Sequence, residues 1–81
     1  MNYSVIYEKV RDSNFPEGYY YAHIPVLDLT THGHGIEGAR AAAIDLVKLW
    51  IEEKRARGED VKEESDAFHS FIEIKDAILS A

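Results

Sequence analysis

The sequence has no cysteine, so disulfide bonds and thiolate metal sites are excluded as supports for the fold. It also lacks any apolar run close to the roughly 20 residues that a membrane-spanning helix needs. Its first residues alternate polar and apolar side chains, whereas a secretion signal has a basic segment followed by an apolar one. These absences favour a cytoplasmic protein that is neither exported nor inserted into a membrane.

Basic residues are few relative to acidic ones: 9 Lys and Arg stand against 15 Asp and Glu, giving a formal net charge of −6. Such a surface repels phosphate backbones, which are normally neutralised by Lys and Arg. We therefore expect no direct contact with nucleic acid and favour a basic protein as partner. At 81 residues, the chain should form one small domain, 1–81, stabilised by self-association into a homodimer or larger oligomer.

Alternating side chains predict strands in the first part of the chain. The predicted strands are Tyr3–Val10, Tyr19–Ile24 and Val26–His32. Residues 11–18 are rich in Asp, Ser, Asn, Pro and Gly and predict a hairpin loop. The three consecutive tyrosines, 19–21, must point alternately to opposite faces of the second strand. One set of rings belongs to the core, and the other set is typical of a protein interface.

A period of about 3.6 residues then predicts one helix from about Ile36 to Arg57, with Trp50 on the face that covers the sheet. Gly58 marks its end. An exposed acidic linker, 59–66, leads to a fourth strand, Ala67–Ile74, and a tail that forms a helical turn or two. We therefore expect an α+β fold: an antiparallel sheet in β-β-β-α-β order with one long helix on one face.

The joints between these elements carry a pattern. It reads Gly18-Tyr19-Tyr20-Tyr21-Ala22, Ile24-Pro25, Thr31-His32-Gly33-His34-Gly35-Ile36-Glu37-Gly38-Ala39 and Leu49-Trp50-Ile51-Glu52-Glu53. The pattern resembles that of the HicB-like antitoxin family, from Tyr3 to about Lys75. The resemblance implies a partly degraded ribonuclease-H-like domain that binds and inhibits a small HicA-type, mRNA-cleaving toxin.

The chain departs from the family pattern in two places. Pro25-Val26-Leu27-Asp28-Leu29 stands where the family usually reads Asp-Leu-Pro-Gly-Cys, and His34-Gly35 replaces the residue that caps the helix. Many members of the family continue into a helix-turn-helix or ribbon-helix-helix module that binds the operator. This chain stops at Ala81, so we expect a stand-alone N-terminal domain that does not repress transcription alone.

Histidines offer an alternative, because His32 and His34 would project to the same side of a strand and bind zinc, copper or nickel. His23 or His69 would have to join them, with Asp28 or Glu37 as a further ligand. The competing interpretation, which we favour, is that they are turn and sheet-surface residues. We expect no resident metal and no cofactor.

Catalysis would require clustered carboxylates holding two magnesium ions. The candidate carboxylates are Glu8, Asp28, Glu37, Asp45 and Glu73. Their spacing has no catalytic pattern, and no Ser or Thr has a fixed His and carboxylate beside it in sequence. We therefore expect no enzymatic activity and no catalytic residue.

The favoured function is an antitoxin-like module that contacts its toxin and itself through the sheet. The alternative is an orphan oligomeric homologue with a structural role or a small-molecule or metal ligand. The candidate partner-binding residues are Tyr19, Tyr21, His23, Asp28, His32, His34, Glu59 and Asp60.

Overall fold

The computed structural model describes residues 2–63 and 72–74. In these residues three strands, β1 (Ile6–Lys9), β2 (Tyr19–Ile24) and β3 (Leu29–His34), precede one helix, α1 (Gly35–Ala56). The strands form an antiparallel sheet in the order β1-β2-β3, and α1 packs on one face, against β2 and β3. The predicted α+β class and β-β-β-α order are confirmed.

The predicted fourth strand, Ala67–Ile74, lies mostly outside the described residues. Its described part, 72–74, has no regular secondary structure, and Ile72 and Ile74 are 81% and 64% exposed. Residues 64–66 of the predicted linker and the tail, 75–81, also lie outside the description. The described linker residues include Lys62, whose carbonyl accepts a hydrogen bond of 2.6 Å from the Tyr3 hydroxyl.

The third strand begins later than predicted, because a turn precedes it. Pro25–Leu27 forms one turn of 3₁₀ helix, closed by a 3.1 Å hydrogen bond from the Asp28 N–H to the Pro25 carbonyl. Asp28 adopts a left-handed backbone conformation with φ of 52°, which Asp tolerates better than most residues. The predicted span Val26–His32 is therefore wrong at both ends, since β3 runs on through Gly33 to His34.

Small side chains form the core between sheet and helix. Ala22 and Ile24 of β2 and Ala39 and Ala43 of α1 are buried, and Val47 packs against them. The three helix residues are four positions apart and therefore lie on one side of α1. No helix in residues 2–63 and 72–74 has the length and apolar character needed to cross a membrane.

Trp50 is not part of this core, so its predicted burial under the sheet is wrong. The ring is half-buried, and the Lys54 Nζ lies 5.6 Å from its centroid. The reason is length. A helix of 22 residues extends about 33 Å, whereas a strand of 6 residues extends about 20 Å. Trp50, in the second half of α1, therefore lies near the end of the sheet, where the strands do not cover its ring.

The backbones of β3 and the first turn of α1 touch at Gly33 and Gly38. A Cβ added to Gly33 would overlap the Gly38 carbonyl group and lie 2.5 Å from the backbone nitrogen of Ala39, where real Cβ atoms stay beyond 3.0 Å. Gly35, at the junction, has φ of 69°, a conformation that glycine adopts without strain. The strand therefore passes into the helix through a close backbone contact that a side chain at position 33 would prevent.

Candidate partner-binding face

The face of the sheet turned away from α1 gathers most of the predicted site residues. Ala22 and Ile24 point into the core, so the alternate residues of β2 point away from it. Antiparallel pairing sets Tyr19 opposite His34, and Tyr21 opposite both His32 and Glu8. We call this surface the outer face; it consists of Ile6, Glu8, Tyr19, Tyr21, His23, Thr30, His32 and His34.

Five rings, linked by ring-to-ring contacts, lie on the outer face. Phe15 approaches His32 edge-on, with ring centroids 5.1 Å apart, and approaches Tyr21 and Tyr19 at 5.9 and 6.0 Å. Tyr19 also contacts His34, with centroids 5.5 Å apart. Edge-to-face pairs at these distances are favourable beyond the area they bury. We call these five residues the aromatic patch.

Phe15 reaches the patch from the loop between β1 and β2. The Asp12 side chain accepts a 2.9 Å hydrogen bond from the Asn14 N–H, and its carbonyl accepts one of 3.0 Å from the Phe15 N–H. This local turn folds the loop back over the sheet. Sequence reasoning did not select Phe15; the signal was a single large apolar side chain within an otherwise polar loop.

His23 lies beside the patch on the outer face. Its Nδ1 is 2.7 Å from the Thr30 hydroxyl on the neighbouring strand, which holds the ring in place. A depression of about 330 Å³ is lined here by Ile6, Glu8, Tyr21, His23 and Thr30. Of the residues of the outer face, Glu8 alone is an acid, so little of the chain's net charge lies on this surface.

Three predicted partner-binding residues lie elsewhere. Asp28 occupies the left-handed position that ends the 3₁₀ turn, between β2 and β3. Glu59 and Asp60 follow the C-terminal end of α1. The structure therefore brings together Tyr19, Tyr21, His23, His32 and His34, and separates the other three from them.

Glu59 participates in the ending of α1. Its N–H donates to the Lys54 carbonyl at 2.9 Å while the Gly58 N–H donates to Arg55 at 3.0 Å, the pairing of a Schellman motif. Its carboxylate accepts a 2.8 Å hydrogen bond from the Lys54 Nζ, which lowers the pKa of Glu59. Glu59 thus has a local partner at the C-terminal end of α1. Gly58 had predicted that the helix ends here.

His32 and His34 project to the same side, as the His-x-His spacing predicts. Within residues 2–63 and 72–74, no three His, Asp or Glu side chains are placed to share a metal ion. His69, considered as an additional ligand, lies outside the described residues. Both imidazoles instead contact the rings of the aromatic patch.

The outer face presents the faces and edges of aromatic rings, together with the hydrogen-bonding hydroxyls of tyrosines and ring nitrogens of histidines. Tyrosine and histidine combine an apolar body with a polar end, and this chemistry recurs at protein interfaces.

The chain matches no protein-family model, no curated protein and no solved structure.

Proposed function

We propose that this chain is an antitoxin-like binding module that neutralises a small, basic, mRNA-cleaving toxin of the HicA type. The observation that carries the proposal is the aromatic patch, whose rings lie on the face that α1 leaves uncovered. Rigid aromatic side chains at the centre of a contact surface are the usual source of its binding energy. The resemblance of the joint pattern to HicB-like antitoxins supports a toxin as the partner.

Net charge supports a basic partner. The chain carries −6, but Glu8 is the one acid among the residues of the outer face, so most of its acidic residues lie outside the contact surface. Charges in this arrangement accelerate encounter, while the rings hold the complex together. Raising salt from about 0.05 to 0.5 M should slow association strongly and change dissociation much less, because the Debye length shortens.

The test begins with the gene beside the one for this chain: if it encodes a small basic protein, the two proteins are co-expressed. Growth should be rescued, and the two proteins should elute together in gel filtration. Tyr21→Ala removes a ring that contacts Phe15 within the aromatic patch. The dissociation constant should rise about 30-fold, equivalent to about 2 kcal/mol.

Leu49→Ala is the matched control, because Leu49 is 56% exposed and lies on α1, on the other side of the sheet. It should leave binding unchanged. The proposal fails if no complex forms, or if the Leu49 variant weakens binding as much as the Tyr21 variant. Absence of a complex would leave the orphan oligomeric homologue as the better description.

A further inference from the structure

An open groove of about 410 Å³ lies between α1 and the chain at and before β1. It is on the opposite side of the sheet from the outer face. Its apolar lining comes from Tyr3, Val5, Tyr7, Ile44, Val47 and Ile51. Among the described residues, Arg40 and Lys48 are the charged groups of its lining and no acid takes part in it, although the chain carries −6 overall. The groove is therefore apolar with basic residues, in a protein that is acidic overall.

The groove is open because α1 lies toward the far side of the sheet. The helix packs mainly on β2 and β3, and β1 is an edge strand of the described sheet. Ile44 is consequently 38% exposed on the groove side of the helix. An edge strand beside uncovered apolar surface favours the addition of another extended segment.

Ile72, Glu73 and Ile74 have the chemistry that this groove would accept. Both isoleucines are largely exposed in the structure, and the acid stands between them. Two apolar side chains fit the lining, and a carboxylate fits Lys48 or Arg40. The Tyr3 hydroxyl holds the Lys62 carbonyl at 2.6 Å, so the chain leaves α1 at one end of the groove. The ten residues from Glu63 to Ile72 can span at most roughly 33 to 36 Å.

We propose that Ile72, Glu73 and Ile74 of a second copy of this chain bind in the groove, along the edge of β1 that residues 2–63 and 72–74 leave unpaired. Two copies exchange these segments reciprocally, which gives a two-fold symmetric homodimer. A second copy is the occupant because the chain's own Ile72 and Ile74 stay exposed in the structure. Pairing of Glu73 with a basic residue of the groove offsets the repulsion between two acidic chains.

Sedimentation equilibrium of the full chain tests this proposal. The wild-type chain should be a dimer at micromolar concentration. Ile44→Asp and Ile72→Asp should each raise the dimer dissociation constant at least about 30-fold, since each places a charge in an apolar contact. Leu49→Asp is the control: Leu49 is more exposed than Ile44 but does not line the groove, so dimerisation should not change.

Mixing the two variants separates segment exchange from a general loss of structure. The Ile44 variant keeps an intact C-terminal segment, and the Ile72 variant keeps an intact groove, so a mixed dimer retains one normal contact. The mixture should associate about tenfold more tightly than either variant alone. Circular dichroism of each variant confirms that it is folded.

A charge exchange at exposed positions gives a second test. Lys48→Glu and Glu73→Lys should each weaken the dimer, and the double variant should recover most of the loss. A monomeric wild-type chain would overturn the proposal. If Ile72→Asp also lowered the stability of that monomer, the segment with Ile72 would bind in the groove of its own chain. A dimer that is disrupted by Tyr21→Asp but not by Ile44→Asp would also overturn it, because the outer face would then be the dimer interface.

Discussion

Replacing Gly33 with alanine tests the contact that joins sheet and helix. The new Cβ would overlap the carbonyl group of Gly38 and lie 2.5 Å from the backbone nitrogen of Ala39. These are backbone atoms, so no side-chain rotation relieves the overlap. Either β3 or the first turn of α1 must move, although Gly33 is paired with Tyr20 and Ala39 is fully buried. Overpacking of this kind costs about 1 to 3 kcal/mol, and we expect at least 3 here because both partners are constrained.

The proper control is Gly38→Ala, which approaches the same contact from the helix. Its Cβ would lie 3.4 Å from the carbonyl carbon of Gly33 and 3.8 Å from its Cα, which is ordinary contact. Alanine in a helix is also favoured over glycine by about 0.5 to 1 kcal/mol. Stability should therefore stay the same or rise by up to about 1 kcal/mol.

Urea unfolding followed by circular dichroism measures both effects. A domain of this size has a total stability of only about 4 to 12 kcal/mol, so the loss at Gly33 should shift the midpoint clearly. If the Gly33 variant lies within about 1 kcal/mol of the wild type, or if the two variants behave alike, β3 and α1 do not meet as described.

Three further predictions concern single side chains. Trp50→Ala should cost only about 1 to 2 kcal/mol, less than the roughly 3 to 5 of a fully buried ring, in the same unfolding assay. Tyr3→Phe should cost about 0.5 to 1.5 kcal/mol by removing the bond to Lys62. Burial, and then the charge of Glu63, raise the pKa of Tyr3 above its usual value of 10.0. Because the folded state favours the protonated hydroxyl, the contribution of Tyr3 to the free energy of unfolding is fully present below about pH 10 and is lost as pH rises through the raised pKa. Tyr3→Phe should therefore lose less stability than the wild type at alkaline pH. Lys54→Met should raise the pKa of Glu59, measured by NMR titration, and an unchanged value would show that the hydrogen bond does not form in solution.

Strand β2 could be predicted to the residue, whereas β3 could not. Alternation and Pro25 define the limits of β2 from local sequence alone. The start of β3 depends on Asp28, whose left-handed conformation follows from the turn around it. A run of apolar residues after proline is compatible with either a strand or a 3₁₀ turn, and composition does not distinguish them.

The helix shows the same division. Its end follows from Gly58 and from the basic residues of the last turn, which are local signals. The burial of Trp50 is not local, because helical period gives the direction of a side chain but not where the opposing sheet ends. Ala39 and Ala43, which are small, form the contact that the larger Trp50 was expected to make.

At the site, sequence identified the tyrosines and histidines but not which tyrosines face outward. Three tyrosines in a row place rings on both faces, so the choice rests on which neighbours are buried. Ala22 and Ile24 settle it, because they point to α1 and leave Tyr19 and Tyr21 on the other face. Phe15 could not be placed without the turn at Asp12, which brings a loop residue over the sheet.

The position of α1 determines which surfaces remain for binding. Because the helix contacts β2 and β3 through a stripe of alanines, it covers neither the outer face nor the groove beside β1. These two surfaces are on opposite sides of the sheet, with Ile6 and Glu8 on one side and Val5 and Tyr7 on the other. Toxin binding and self-association, as proposed, therefore do not compete for the same residues. Substitutions at Tyr21 and at Ile44 should then act independently on the two equilibria, and strong coupling between them would mean that one surface serves both.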